Sequence, residues 1–263
     1  MKGFIRFTSE ACKKGWHERN GGNLSYRIPQ DEIIGVKSAL NEVDEWRPIG
    51  INAPNLAGEY FVVTGRGKYL KNIELEPEKN VAVIKIDDKG ENYGIVWGLT
   101  DGGNPTSELP THLLNHELKK KLTNGKNSII YHAHPANIIA LSYVLPITDK
   151  DFTRELWQSF PEYILVFPEG VGVVPWMIPG GSEIAEISTK LMEKYNAVIW
   201  AHHGMFVCGN GFDEALGLME VIEKAAEIAV KVRAMGGKKQ CVTPQELIEL
   251  AERFNVNLNK DLL

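Results

Sequence analysis

Apolar residues recur along this chain with two periods, about 3.6 and 2, which alternate in short blocks. Phe4, Ile5, Ala11, Cys12 and Trp16 follow the helical period, and Asn20-Gly-Gly-Asn23 ends that helix. Leu24, Tyr26 and Ile28 then alternate as a strand. Pro29 to Gly58 is polar and irregular, with Trp46 expected as its main anchor. Tyr60-Phe-Val-Val63 reads as a strand running into Thr64-Gly-Arg-Gly67. Val81 to Ile86 and Tyr93 to Trp97 read as two strands joined by Asp87-Asp-Lys-Gly90, a hairpin.

In the second half, a helix is predicted from about Glu108 to Leu122, and Ser128 to Tyr131 forms an apolar strand that ends in His132-Ala-His134. Pro135 can open a helix reaching about Val144. Another helix is expected over Asp151 to Phe160. Tyr163 to Phe167 should pair with Val171 to Val174 across Pro168-Glu-Gly170, and Ser182 should cap a helix to about Tyr195. A second apolar strand runs from Asn196 into His202-His-Gly204, and a long helix spans Phe212 to Met235. Thr243-Pro-Gln-Glu246 spells a capping box with proline at the first helical position, so a last helix begins there. Hairpins alternate with single helices instead of regular βαβ units. The expectation is one α/β domain over residues 1–263, in three layers, with a mixed, largely antiparallel central sheet covered by helices on both faces.

Composition narrows the function. Hydrophobic residues make up 43% and charged residues 24%, as in an ordinary globular domain. The net charge of -5 comes with no basic cluster, which argues against nucleic acid or anionic membrane as partner. The three cysteines, Cys12, Cys208 and Cys241, are widely spaced, as expected in a reducing compartment. No apolar run reaches the ~18–20 residues of a membrane span, and the first residues lack the apolar core of a signal peptide. A cytoplasmic location is expected.

His132 and His134 project from one face of their strand, with Ala133 on the other, and a pair of imidazoles suits a first-row divalent metal, zinc above all. A catalytic zinc needs about three protein ligands. His202 or His203 can supply the third, since on a period-2 strand they face opposite ways. His112 and His116, at i and i+4 on the 108–122 helix, are a rival pair. They lack the H-E-x-x-H order and are expected on partly solvated helix surface. Asn20-Gly-Gly-Asn23 and Thr64-Gly-Arg-Gly-Lys68 are glycine turns that can converge N–H groups on an anion, and each also reads simply as a turn. Glu108, in the first turn of its helix, is either a dipole-stabilising residue or a base beside the metal.

Taken together, these segments resemble the class II (zinc-dependent) sugar-phosphate aldolases. The resemblance rests on Gly15-Trp-His-Glu-Arg-Asn-Gly-Gly-Asn-Leu24, Phe61-Val-Val-Thr-Gly-Arg-Gly-Lys68, Trp97-Gly-Leu-Thr100, Pro105-Thr-Ser-Glu-Leu-Pro110, His132-Ala-His134, Val166-Phe-Pro-Glu-Gly-Val-Gly172, Pro175-Trp-Met-Ile-Pro179 and His203-Gly204. These stand in the family's order over nearly the whole chain. The resemblance implies zinc held by His132, His134 and His203, with His202 as a structural neighbour. It implies Glu108 as the catalytic carboxylate, and Asn20, Gly22 and Asn23 as the turn binding dihydroxyacetone phosphate, with Ser107 and Gly67 nearby. It also implies that Glu162 reaches a neighbouring subunit's site in a fourfold-symmetric homotetramer. Arg66 replaces a small serine of the family pattern and could add a bidentate phosphate contact or point outward with no effect. A pentulose-phosphate 4-epimerase on the same scaffold, or a metal-free binding module, are the alternatives.

Overall fold

Strand Ile129–Ala133 is buried on both faces, which is why it reads as a continuous apolar run and not as an alternating one. It lies at the middle of a nine-stranded sheet in the computed structural model, which describes all 263 residues. The strands are β1 (Asn23–Arg27), β2 (Arg47–Pro48), β3 (Tyr60–Thr64), β4 (Val81–Ile86), β5 (Asn92–Gly98), β6 (Ile129–Ala133), β7 (Gly172–Val174), β8 (Ala197–Trp200) and β9 (Gly204–Gly209). Their spatial order is β2-β5-β4-β3-β1-β6-β9-β8-β7. Every neighbouring pair is antiparallel except β7 with β8. The mixed, largely antiparallel sheet expected from the sequence is therefore present.

The helices are α1 (Lys2–Lys13), α2 (Gln30–Val36), α3 (Pro77–Asn80), α4 (Leu109–Leu122), α5 (Ala136–Leu141), α6 (Asp149–Ser159), α7 (Ser182–Met192), α8 (Phe212–Ala234) and α9 (Pro244–Arg253). Side-chain parity along the strands divides the core. Leu24, Tyr26, Ile129, Tyr131 and Val207 pack with α1, α5, α6 and α8 on one face. On the other face, Phe61, Val63 and Ile84 meet Leu109 and Leu113 of α4, while Ile130, Val198 and Phe206 meet Ile184 and Met192 of α7. Each of these large side chains contributes about 1.5–3 kcal/mol by leaving water, so both helical layers are firmly attached. No helix is long and apolar enough to cross a membrane.

Several expectations need correction. Tyr163 to Phe167 is not a strand: Pro161–Leu165 forms a 3-10 helix, and β7 pairs instead with β8, in parallel. Proline at the first position suits that short helix, and β7 finds its partner in a segment distant along the chain. Trp46 is 45% exposed, and the 29–58 segment is anchored by Ile49, Ala53 and Leu56. Ser182 is the first residue of α7, with Gly181 at the cap and no side-chain cap bond. The Thr243/Glu246 capping box forms as expected.

Candidate active site

The histidine strand behaves as its period requires. His132 shares the face of Ile130, and its ring stacks on Phe206, directly opposite on β9, at 4.3 Å between centroids. His134 lies beside it, with ring centroids 5.1 Å apart. The third histidine comes from the turn between β8 and β9 and not from a strand. That turn puts His202 at φ +63°, with its backbone N–H and ring on Ser142 Oγ, and sends His203 to the other two. One ring nitrogen from each of His132, His134 and His203 lies within 4.8 Å of the others. Gly204 is required here, because a Cβ would collide with the Ala133 carbonyl oxygen and crowd His134.

These three residues fit a metal ion. His132 places Nδ1 3.2 Å from the Met205 carbonyl oxygen, to which it donates, and its Nε2 is buried without a partner. His134 Nδ1 donates to the Glu18 carboxylate at 2.7 Å, leaving Nε2 free. A hydrogen bond on the far nitrogen fixes the tautomer and orientation of a ligating imidazole. Burial, reinforced by the neighbouring histidines, pushes His132 well below the ordinary histidine pKa and holds His203 at about 4. His132 and His203 can therefore offer lone pairs at neutral pH, as a metal demands.

Glu108 caps the N-terminal end of α4, with Oε2 3.9 Å from His132 Nε2. Burial raises its pKa above the usual carboxylate value, and the 2.8 Å hydrogen bond from Asn23 Nδ2 only partly offsets this. The residue that shapes this turn is Thr106, whose Oγ1 accepts from the Glu108 N–H at 3.3 Å. Ser107, just before the helix, lines the adjacent cavity.

In front of the histidines lies a polar cavity of about 320 Å³. Asn20, Gly22, Asn23, Arg66, Gly67, Ser107 and Glu108 all line it, as do His134 and His203. The 20–23 turn is held by His17, whose Nδ1 donates to the Gly21 carbonyl and whose Nε2 accepts from Tyr131. Gly22 has φ +72°, and a Cβ there would lie 2.7 Å from the His132 carbonyl oxygen and collide with His17. The turn can thus press close to the histidine strand only as glycine. Arg66 is the single lysine or arginine in the lining and makes no ion pair, whereas Lys68 is engaged by Asp101.

The remaining expectations divide. Glu162 is exposed on the 3-10 helix at Pro161–Leu165 and does not line this cavity. His112 and His116 are not on solvated surface: both are fully buried between α4 and β1, on Ser25 Oγ. Asn23 was expected in a phosphate turn, but its amide already bridges Glu108 and His112. Sequence reasoning missed Glu18, His17 and Thr106. A carboxylate two residues ahead of a glycine turn is the only hint of Glu18, and its partner lies more than a hundred residues away.

Residues 3–230 match the Class II Aldolase and Adducin N-terminal domain family. The chain belongs to that family. It is 45% identical over 256 residues to a rhamnulose-1-phosphate aldolase of Klebsiella pneumoniae, covering 97% of this chain and 93% of that one. A rhamnulose-1-phosphate aldolase of Mannheimia succiniciproducens is 46% identical, over 97% of this chain and 94% of its own. Among solved structures, a sugar-phosphate aldolase from Thermotoga maritima superposes with a TM-score of 0.73 at 28% identity, covering 89% of this chain and 94% of that one. The His-x-His strand, the buried glutamate and the two glycine turns thus sit in a chain whose family is established over most of its length.

Proposed function

We propose that this chain is a zinc-dependent lyase that cleaves L-rhamnulose 1-phosphate to dihydroxyacetone phosphate and L-lactaldehyde. The choice of substrate is supported by the 45–46% identity with the rhamnulose-1-phosphate aldolases over nearly the full length of both chains. The observation that carries the chemistry is a buried carboxylate, Glu108, 3.9 Å from Nε2 of His132 in a three-histidine cluster.

Cleaving the bond between C3 and C4 leaves an electron pair on the three-carbon fragment and negative charge on its C2 oxygen. His132, His134 and His203 would hold the zinc, which when bound supplies Lewis-acid stabilisation of that charge. Glu108 moves the proton at C3: it returns one to the carbon in cleavage and removes it in synthesis. Burial, by raising its pKa, makes it a stronger base than a carboxylate in water. Gly22, Gly67 and Ser107 offer backbone or hydroxyl donors to the substrate phosphate, with Asn20 adding its amide and Arg66 a fixed cation. Glu162 would serve a neighbouring subunit's site in a homotetramer, binding the C4 oxygen and taking its hydroxyl proton in cleavage, or protonating the aldehyde oxygen in synthesis.

The test is a coupled assay for dihydroxyacetone phosphate with L-rhamnulose 1-phosphate, other ketose 1-phosphates and a pentulose phosphate. Triose phosphate from the first substrate in preference to the others supports the reading. Epimerisation of the pentulose phosphate with no triose released would replace it.

A further inference from the structure

Behind Glu108 runs a line of buried polar side chains that the chemistry above does not use. Asn23 and Ser25, two apart on β1, point to the same face of the sheet. α4 crosses that face and presents His112 and His116, one helical turn apart. The two spacings match, so the four side chains interleave. Ser25 Oγ lies 2.7 Å from His112 Nδ1 and 2.8 Å from His116 Nε2. His112 Nε2 is bonded to Asn23 Oδ1, and Asn23 Nδ2 donates to Glu108 Oε2 at 2.8 Å.

The line has a direction. An ionised carboxylate only accepts, so Asn23 must turn its NH2 to Glu108 and its Oδ1 to His112. That oxygen needs a donor, which places the His112 proton on Nε2. Nδ1 then accepts from the Ser25 hydroxyl, and the Ser25 oxygen accepts from His116 Nε2–H. His116 Nδ1 is left as a bare lone pair, and it is indeed a buried ring nitrogen with no partner. Burial keeps both imidazoles neutral, as this pattern requires.

We propose that His112, locked by Ser25 and His116, is a positioning residue that fixes the Asn23 amide in the one orientation able to donate to Glu108, and thereby aims the carboxylate. Without it the amide can turn over and present Oδ1 to the carboxylate, which repels it. The consequence falls on proton transfer at C3, not on phosphate binding or metal retention. Two apolar residues in place of the histidines would pack α4 on the sheet without burying four polar groups.

This assignment rests on the reading of Glu108 as the base, and the two can be told apart by exchange of the C3 proton of dihydroxyacetone phosphate in D2O. A zinc-loaded wild-type protein that neither exchanges that proton nor cleaves any ketose 1-phosphate removes the reading and the inference together. If wild type does exchange it, His112→Phe should slow both exchange and kcat about tenfold, the loss of one hydrogen bond to an orienting group. KM and zinc content should not change. His112→Gln, which can still donate to Asn23, should recover most of the rate. In an Asn23→Ala background, His112→Phe should cost nothing further, because its route to Glu108 is gone. An exchange rate within twofold of wild type in folded His112→Phe, or losses that multiply in the double variant, would overturn the assignment. Should His112→Phe fail to fold, Ser25→Ala decides instead: slower exchange at unchanged KM supports the relay, and an unchanged rate refutes it.

Discussion

The Glu18 carboxylate lies 2.7 Å from His134 Nδ1 and fixes which nitrogen of that ring faces the other two histidines. Because Glu18 stands just before the 20–23 turn, one short segment orients His134 and also lines the polar cavity. Glu18→Gln keeps the shape but weakens the acceptor. Metal affinity should fall about 10–100-fold, read by competition with a chromophoric chelator. An unchanged affinity would show that the Glu18 contact has no hold on the ligand.

Arg66 is unpaired in a cavity lined by no other lysine or arginine. Its guanidinium should act on the substrate phosphate in ground state and transition state alike. Arg66→Ala is therefore expected to raise KM about tenfold or more with kcat little changed, and to weaken inhibition by inorganic phosphate in parallel. A fall in kcat at constant KM would place Arg66 in the chemical step instead.

Buried neutral histidines make the fold acid-sensitive. Burial holds His17 at about 4 and His112 at about 3, and pushes His116 well down. In the unfolded chain each takes up a proton near pH ~6.5. Below that value the unfolded state binds more protons than the folded one, so stability is full above it and falls as the pH drops toward the folded values. Each histidine contributes a slope of about 1.4 kcal/mol per pH unit. Glu169 and Glu223, whose carboxyls burial raises, oppose this at the acid end. The urea midpoint of the metal-free chain should drop clearly between about pH 7.5 and pH 5.5. A flat profile would mean that these histidines are protonated in the folded state.

What could be read from the sequence depended on the range of the interaction. His132 and His134 could be placed on one face because a strand's period is strictly local, and the 81–97 hairpin because its turn is. His203 could not be separated from His202, since the choice depends on a turn that puts His202 at positive φ. The burial of His112 and His116 was hidden for a different reason. The buried side of α4 sets Thr111, His112, Asn115 and His116 beside Leu109 and Leu113, so its apolar stripe is short and broken, and the polar part is matched only by the facing Asn23 and Ser25 of β1. The segment at 163–167 was misread because Tyr163, Ile164, Leu165, Val166 and Phe167 suit a strand and a 3-10 turn equally.

Glu162 lies outside the cavity of its own chain, so a role in catalysis requires a second subunit. A cyclic assembly brings one subunit's exposed edge to its neighbour's site. Glu108→Gln and Glu162→Ala proteins, each inactive alone, should regain part of the activity when mixed under conditions of subunit exchange, because some sites then receive both intact residues. Proven exchange with no activity returned would confine Glu162 to its own chain or remove it from the reaction.

Metal content and turnover, determined on the same preparations of wild type, His203→Ala and Glu108→Gln, separate the metal's holders from the base. Wild type should carry one zinc per subunit and release dihydroxyacetone phosphate from L-rhamnulose 1-phosphate. His203→Ala should lose both, while Glu108→Gln should keep the zinc and turn over roughly 100-fold more slowly or worse. Full zinc in His203→Ala, or near-normal turnover in zinc-loaded Glu108→Gln, would contradict the assignment of these residues.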